Sequence, residues 1–139
     1  MWRERADFII GASLPEEARA EQLWVKRLDE PVVFEMCCIP FFLYDVALGD
    51  VVQTDASFEF LRVVEPSGRF VFRIWFGDSF HPRQEIADQL SEIGALLEWS
   101  STNLVAVDAA GAKEAWIVAD FLRDQEARGR LTYETGRST

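Results

Sequence analysis

The chain is short of the residues from which common catalytic centres are built. It has one histidine, His81, and two cysteines, Cys37 and Cys38, in 139 residues. A metal site needs several His, Cys or carboxylate ligands at suitable spacing, and two adjacent cysteines with one distant histidine do not form such a set. Glycine-rich phosphate loops of the Gly-x-Gly-x-x-Gly or Walker type are missing, as is Gly-x-Ser-x-Gly, so nucleotide binding and serine hydrolysis lack their usual apparatus. No apolar run approaches the ~18 residues of a membrane-spanning helix. The longest signal-like core, residues 8–14, follows Asp7 and precedes Pro15-Glu16-Glu17 rather than a small-residue cleavage site, so export is not expected. Basic residues are also scarce: 14 Lys and Arg against 24 Asp and Glu leave a net charge of -10. That balance repels phosphate backbones and anionic lipid unless a local basic patch overrides it.

What is present is apolar and aromatic. Hydrophobic residues make up 49% of the chain and aromatics 13%, so most of it is expected to fold as one soluble unit. Adjacent cysteines in a strand point to opposite faces, which disfavours a bridge between them and fits a reducing, cytoplasmic setting.

Residues 1–20 show no sustained period of either kind and read as an extension, either a loose arm or a short helix. From Glu21 a single α+β domain is expected. Leu23-Trp24-Val25 and Val32 to Met36, around Leu28-Asp29-Glu30-Pro31, form a hairpin candidate. Pro40 and the Gly49-Asp50 turn bracket an aromatic-rich connection before Val51-Val52. Ser57 to Val64 and Arg69 to Phe76 flank Glu65-Pro66-Ser67-Gly68, which reads as the turn of a second hairpin. After Gly77 the period becomes helical. Pro82, Ile86, Leu90, Ile93 and Gly94 delimit a helix over about 82–93. Leu96 to Trp99 and Leu104 to Val107 are short strands, and a second helix over about 112–128 carries Ala115, Trp116, Ala119 and Leu122 on its inner stripe. Leu131 to Glu134 is a last strand. The order from Arg69 onward is βαββαβ, the ferredoxin-like arrangement. The expectation is therefore a short-stranded sheet or small barrel (21–68) followed by a ferredoxin-like part (69–135).

The segments Leu23-Trp24-Val25-Lys26, Ile39-Pro40-Phe41-Phe42, Leu48-Gly49-Asp50-Val51-Val52, Val105-Ala106-Val107-Asp108 and Gly129 to Glu134 together resemble the bacterial family catalogued as domain of unknown function 4265, over about residues 21–135. The resemblance implies an architecture and carries no catalytic residues.

Candidate chemistry is sparse. His81 in Phe80-His81-Pro82 could serve as a base or ligand, with a helix N-terminus as its ordinary role. Cys37 and Cys38 read as small core residues. Asp45, Asp50, Asp78, Glu98 and Asp108 stand near strand ends or turns, where capping is the usual task of a carboxylate. Along the strand from Arg69, alternation puts Phe70, Phe72 and Ile74 on one face and Val71, Arg73 and Trp75 on the other. Phe41 to Tyr44 could pack in the core or offer aromatic anchors to a partner.

The leading expectation is a non-catalytic binding or regulatory protein with a protein partner and neither cofactor nor metal. Its possible site residues are Phe41, Tyr44, Asp50, Arg73, Trp75, Asp78 and His81. Three alternatives stand beside it: an immunity-type inhibitor matched to a basic toxin by charge, a small-ligand sensor or enzyme using a cleft near His81 and Asp78, and RNA binding through Arg73 and Trp75.

Overall fold

A computed structural model describes residues 2–14, 19–77 and 83–138. Two antiparallel sheets divide the strands. The first joins β1 (Phe8–Leu14), β2 (Arg19–Arg27), β3 (Val33–Met36), β4 (Val51–Thr54) and β5 (Phe60–Glu65) in chain order. The second contains β6 (Phe70–Trp75), β7 (Leu96–Trp99), β8 (Leu104–Ala109) and β9 (Thr132–Thr135), in the spatial order β7-β8-β6-β9. Helices α1 (Arg83–Ile93) and α2 (Ala112–Ala127) belong with this second sheet.

Period-two burial sets the register of the first sheet. Along β2, Glu21, Leu23 and Val25 are buried while Gln22 and Trp24 face outward. Leu23 and Val25 meet Ile10 and Ala12 of β1 and Phe34 and Met36 of β3 in one apolar cluster. Residues 8–14 are thus a paired strand, registered from Phe8 opposite Val25 to Leu14 opposite Arg19, rather than the loose arm or short helix expected from sequence. Its buried face is carried by Ile10 and Ala12, and small residues leave little trace of alternation. The sheet bends far enough for its two outer strands to meet. Gly11 N–H donates to the Phe58 carbonyl at 3.0 Å, next to a parallel bridge between Gly11 and Glu59. Phe58 takes a positive φ of 63° there, and its ring stands edge-on to those of Phe8 and Phe34.

A second correction concerns Glu65 to Gly68. β5 pairs with β4, whereas β6 pairs with β8 and β9, so these residues carry the chain from one sheet to the other and are not a hairpin turn. The crossing is fastened by Asp50. Its carboxylate accepts the Ser67 N–H at 2.8 Å and the Ala47 N–H at 2.9 Å, while Ser67 Oγ donates to the Leu48 carbonyl.

In the second sheet Phe72 and Ile74 of β6 and Val105 and Val107 of β8 face Ile86 and Leu90 of α1 and Val118 and Leu122 of α2. Helix α1 stops at Gly94, whose φ of 103° is a left-handed closing conformation open to glycine at little cost. The inner stripe of α2 differs from expectation at one residue. Trp116 is 71% exposed and Val118 is fully buried in its stead. At 100° per residue, Trp116 lies about 200° round the helix from Val118, which puts it on the solvent side.

The other face of the second sheet is covered by the connection from β3 to β4. Ile39, Ala47 and Leu48 pack on Val71 and Ala106 there. Below them lies a buried ion pair, with Arg69 Nε and Nη2 donating to the two Asp108 oxygens at 2.9 and 2.5 Å. The chain's end is drawn in too, since Gly136 N–H donates to the Val71 carbonyl and the Gly136 carbonyl accepts the Asp45 N–H.

Candidate functional site

The segment between the sheets, residues 39–44, is held by three charged side chains from three strands. Glu21 of β2 is buried and accepts the N–H groups of Phe41, Phe42 and Leu43 at 2.6, 3.2 and 2.9 Å. Glu98 of β7 accepts the Ile39 N–H at 2.8 Å and an Arg3 N–H at 2.9 Å. Burial pushes the Glu98 carboxyl above its ordinary pKa, and those two bonds pull it partly back. Arg73 of β6 is 3% exposed and donates through Nε to the Pro40 carbonyl at 3.3 Å and through Nη2 to the Leu43 carbonyl. Amides bound by anions and carbonyls bound by a cation give this stretch of backbone one conformation.

Its side chains are thereby displayed in a fixed way. Phe41 is half-buried, Phe42 lies with its ring 4.0 Å from the Arg19 guanidinium, and Tyr44 is 41% exposed. Tyr44 packs its ring against Arg73 and donates its hydroxyl to Glu134 at 2.6 Å. Beside them Trp75 is 50% exposed. Phe41, Phe42, Arg19, Arg73, Trp75 and Glu134 line a cleft of about 390 Å³, floored by Leu104. The remaining third nitrogen of Arg73, Nη1, is buried and has no hydrogen-bond partner among the described residues. It forms a long ion pair with Glu134 Oε1 at 3.6 Å.

Of the seven residues singled out from sequence, four converge here: Phe41, Tyr44, Arg73 and Trp75. Asp50 is elsewhere, buried as the cap that fastens the crossing between sheets, on the wall of a separate cleft of about 410 Å³. Asp78 and His81 lie outside the described residues. The site also contains Glu21, Arg19 and Glu134, which the sequence reading passed over. A signal for Glu21 exists, because period two from Val25 and Leu23 puts it on the buried face.

The other candidates are engaged structurally. Asp45 accepts from Ser138 N and Oγ, bonds that hold its carboxyl below the ordinary range. Cys37 and Cys38 are free and buried. Burial raises both thiols, that of Cys38 to about 12. A third cleft of about 580 Å³, between Trp2, Phe41, Leu96 and Trp99, is bounded by the Arg3–Glu98 pair. No helix among the described residues is long and apolar enough to cross a membrane, and no group of three or more metal-binding side chains occurs among them.

Fold and cleft define a small α+β protein with two antiparallel sheets, in which the aromatic-rich connection from β3 to β4 packs against the second sheet. The chain belongs to the family described as Domain of unknown function (DUF4265), which matches residues 21–133. It is similar in fold to a solved structure described as a hypothetical protein from Neisseria gonorrhoeae. The TM-score is 0.77 at 20% identity, with 93% of each chain covered. No curated protein matches the sequence.

Proposed function

We propose that the protein is a non-catalytic binding protein of the cytoplasm that engages a protein partner through the surface formed by Phe41, Phe42, Tyr44 and Trp75. The observation that carries this reading is the fastening of residues 39–43 by Glu21, Glu98 and Arg73, beside two aromatic side chains, Tyr44 and Trp75, that are each about half exposed. A surface already held in one conformation loses little entropy on binding, and aromatic rings with Arg are the usual anchors of interfaces. In architectural terms we read the first sheet, whose outer strands meet at Gly11 and Phe58, as a small barrel. The β7-β8-β6-β9 sheet with its two helices is read as a ferredoxin-like half.

The test places a photoreactive phenylalanine analogue at position 75 in one protein and at position 116, on the far face of α2, in another. Each is then irradiated in host lysate. One polypeptide crosslinked from position 75 alone, and competed away by untagged protein, is expected. Identical products from both positions, or none from position 75, would refute the assignment.

A further inference from the structure

We infer that the cleft of about 580 Å³ beside β7 receives an extended, mainly apolar segment of a partner protein, added to the second sheet as a further strand. The site goes beyond the surface proposed above and shares only Phe41 with it. Backbone alternation is the starting point. Ser100 N–H donates to the Leu104 carbonyl at 2.9 Å, and β7 pairs with β8 without a register shift, so the backbone groups of Glu98 and Leu96 face β8 as well. Those of Leu97 and Trp99 point the other way, on the side of the cleft that both residues line. No hydrogen bond reaches them from that side among the described residues. Two N–H and two C=O groups thus stand along the edge at the spacing that another strand's backbone reproduces.

The edge is also undefended. Strands at a sheet margin are commonly blunted by proline, a free charge or a bulge. Leu96-Leu97-Glu98-Trp99 has no proline and no bulge, and its one charge, Glu98, is turned to the Ile39 N–H and to Arg3. The opposite margin differs. Gly136 N–H donates to the Val71 carbonyl, which by alternation turns the Tyr133 backbone of β9 outward, and there Glu126 takes the Tyr133 N–H at 3.2 Å.

The walls define the occupant. Arg3 and Glu98, paired at 2.9 Å, are the charged side chains on the cleft, so it carries no net charge and calls for no charged guest. Leu96 shares its face of β7 with Glu98, and on that face pack Trp2, Ile39, Phe41 and Leu48. A segment residue opposite Glu98 points onto this apolar wall, while its two neighbours bring their backbone groups to Leu97 and Trp99. At about 3.4 Å per residue, the four residues of β7 present about 13 Å of edge, the length of a four-residue segment. A second copy of the chain fits less well. Two-fold pairing through Leu97 and Trp99 would set the two Glu98 residues directly opposite each other, between molecules of net charge -10.

The experiment adds the peptides acetyl-Lys-Val-X-Val-Lys-amide, with X as Ile, Phe or Glu, to the isotope-labelled full chain and follows backbone amide signals and their hydrogen exchange. The terminal lysines keep the probes soluble. The Ile and Phe peptides are expected to bind and, near saturation, to slow exchange at Leu97 and Trp99 at least fivefold. Leu96 and Glu98, already bonded to β8, should not change. That alternation marks strand pairing, because an apolar ligand resting in the same cleft does not select alternate amides. The Glu peptide should bind about tenfold more weakly than the Ile peptide, since its central side chain would meet the apolar wall beside Glu98. The Ile peptide N-methylated at its three central residues keeps every side chain and loses their donors, and should also bind about tenfold more weakly. No binding of either apolar peptide at millimolar concentration, equal affinity of the N-methylated peptide, or protection that does not alternate along β7 would overturn the inference. Self-association of the free chain with the same alternate protection would assign the edge to a second copy and overturn the partner named here. Crosslinking from position 75 without protection of Leu97 and Trp99 would leave the surface proposed above standing and remove this inference alone. Protection without a crosslinked polypeptide would do the opposite.

Discussion

Glu21→Ala should be among the most damaging single substitutions that removes no apolar contact. The carboxylate accepts three amide N–H groups at 2.6, 3.2 and 2.9 Å, and the residue is 7% exposed. A hydrogen bond to a charged partner contributes about 1.5–3 kcal/mol, and a buried donor left unpaired costs a similar amount. Three such losses taken at face value exceed what is expected, because one bond is long and water can reach the half-buried Phe42 and Leu43 once the acid is gone. About 3–5 kcal/mol is the resulting expectation, a large part of the ~5–15 kcal/mol by which a domain of this size is stable. Glu21→Gln keeps one acceptor oxygen and turns an NH2 towards the amides, so about half that loss is expected. Urea unfolding followed by tryptophan fluorescence reads the change as a lower midpoint at unchanged slope. Hydrogen exchange at Phe41, Phe42 and Leu43 should accelerate well beyond the global change, because the segment opens locally. A Glu21→Ala protein within 0.5 kcal/mol of wild type, with those amides still protected, would refute the claim that this carboxylate fastens the connection.

Other expectations follow from the same geometry. Asp108→Asn breaks the buried pair with Arg69 and leaves a cation whose side chain is only 20% exposed, so a loss of about 3 kcal/mol is expected in urea unfolding. Gly136→Ala would put a Cβ 2.9 Å from Val71 Cβ, tighter than side chains tolerate, and should cost about 1–3 kcal/mol while loosening the end of β9. Cys38, raised to about 12 by burial, should resist thiol reagents at pH 8 until the chain unfolds; rapid labelling of native protein would contradict its position. Because its native pKa lies above the unfolded value near 9.0, the unfolded chain releases the proton first. Stability is then intact below pH 9 and declines as pH rises towards 12, a slope that Cys38→Ala should flatten.

The positions of the helices and of most strands were legible because their periods are clean: Ile86, Leu90 and Ile93 for α1, Phe72 and Ile74 for β6. β1 was not, since Gly11 and Ala12 give alternation no apolar contrast. The residues Pro66-Ser67-Gly68 suggest a hairpin turn, whereas the chain only bends at Gly68 and passes on to the other sheet. Whether a turn returns a strand to its neighbour or sends it to another sheet is decided by long-range pairing, to which local residue preferences are blind. The candidate site was half legible for a similar reason. Arg73 and Trp75 stand out as a cation and a large ring on one face of a strand. Glu134 looks like any surface acid until the fold brings it beside a guanidinium; Glu21 falls on the inward face of β2 by period two, but the connection it holds is known only from the fold.

The meeting of β1 at Gly11 with Phe58 and Glu59, the residues that lead into β5, also bears on how the molecule avoids its own kind. Open strand edges are templates on which other chains can add, and a sheet whose first and last strands touch offers few of them. The second sheet shows no such closure among the described residues, where β7 and β9 each pair on one side only. Strand-to-strand aggregation, when conditions force it, should therefore begin at β7 or β9, and charged substitutions there should suppress it more than equivalent changes in β1 or β5.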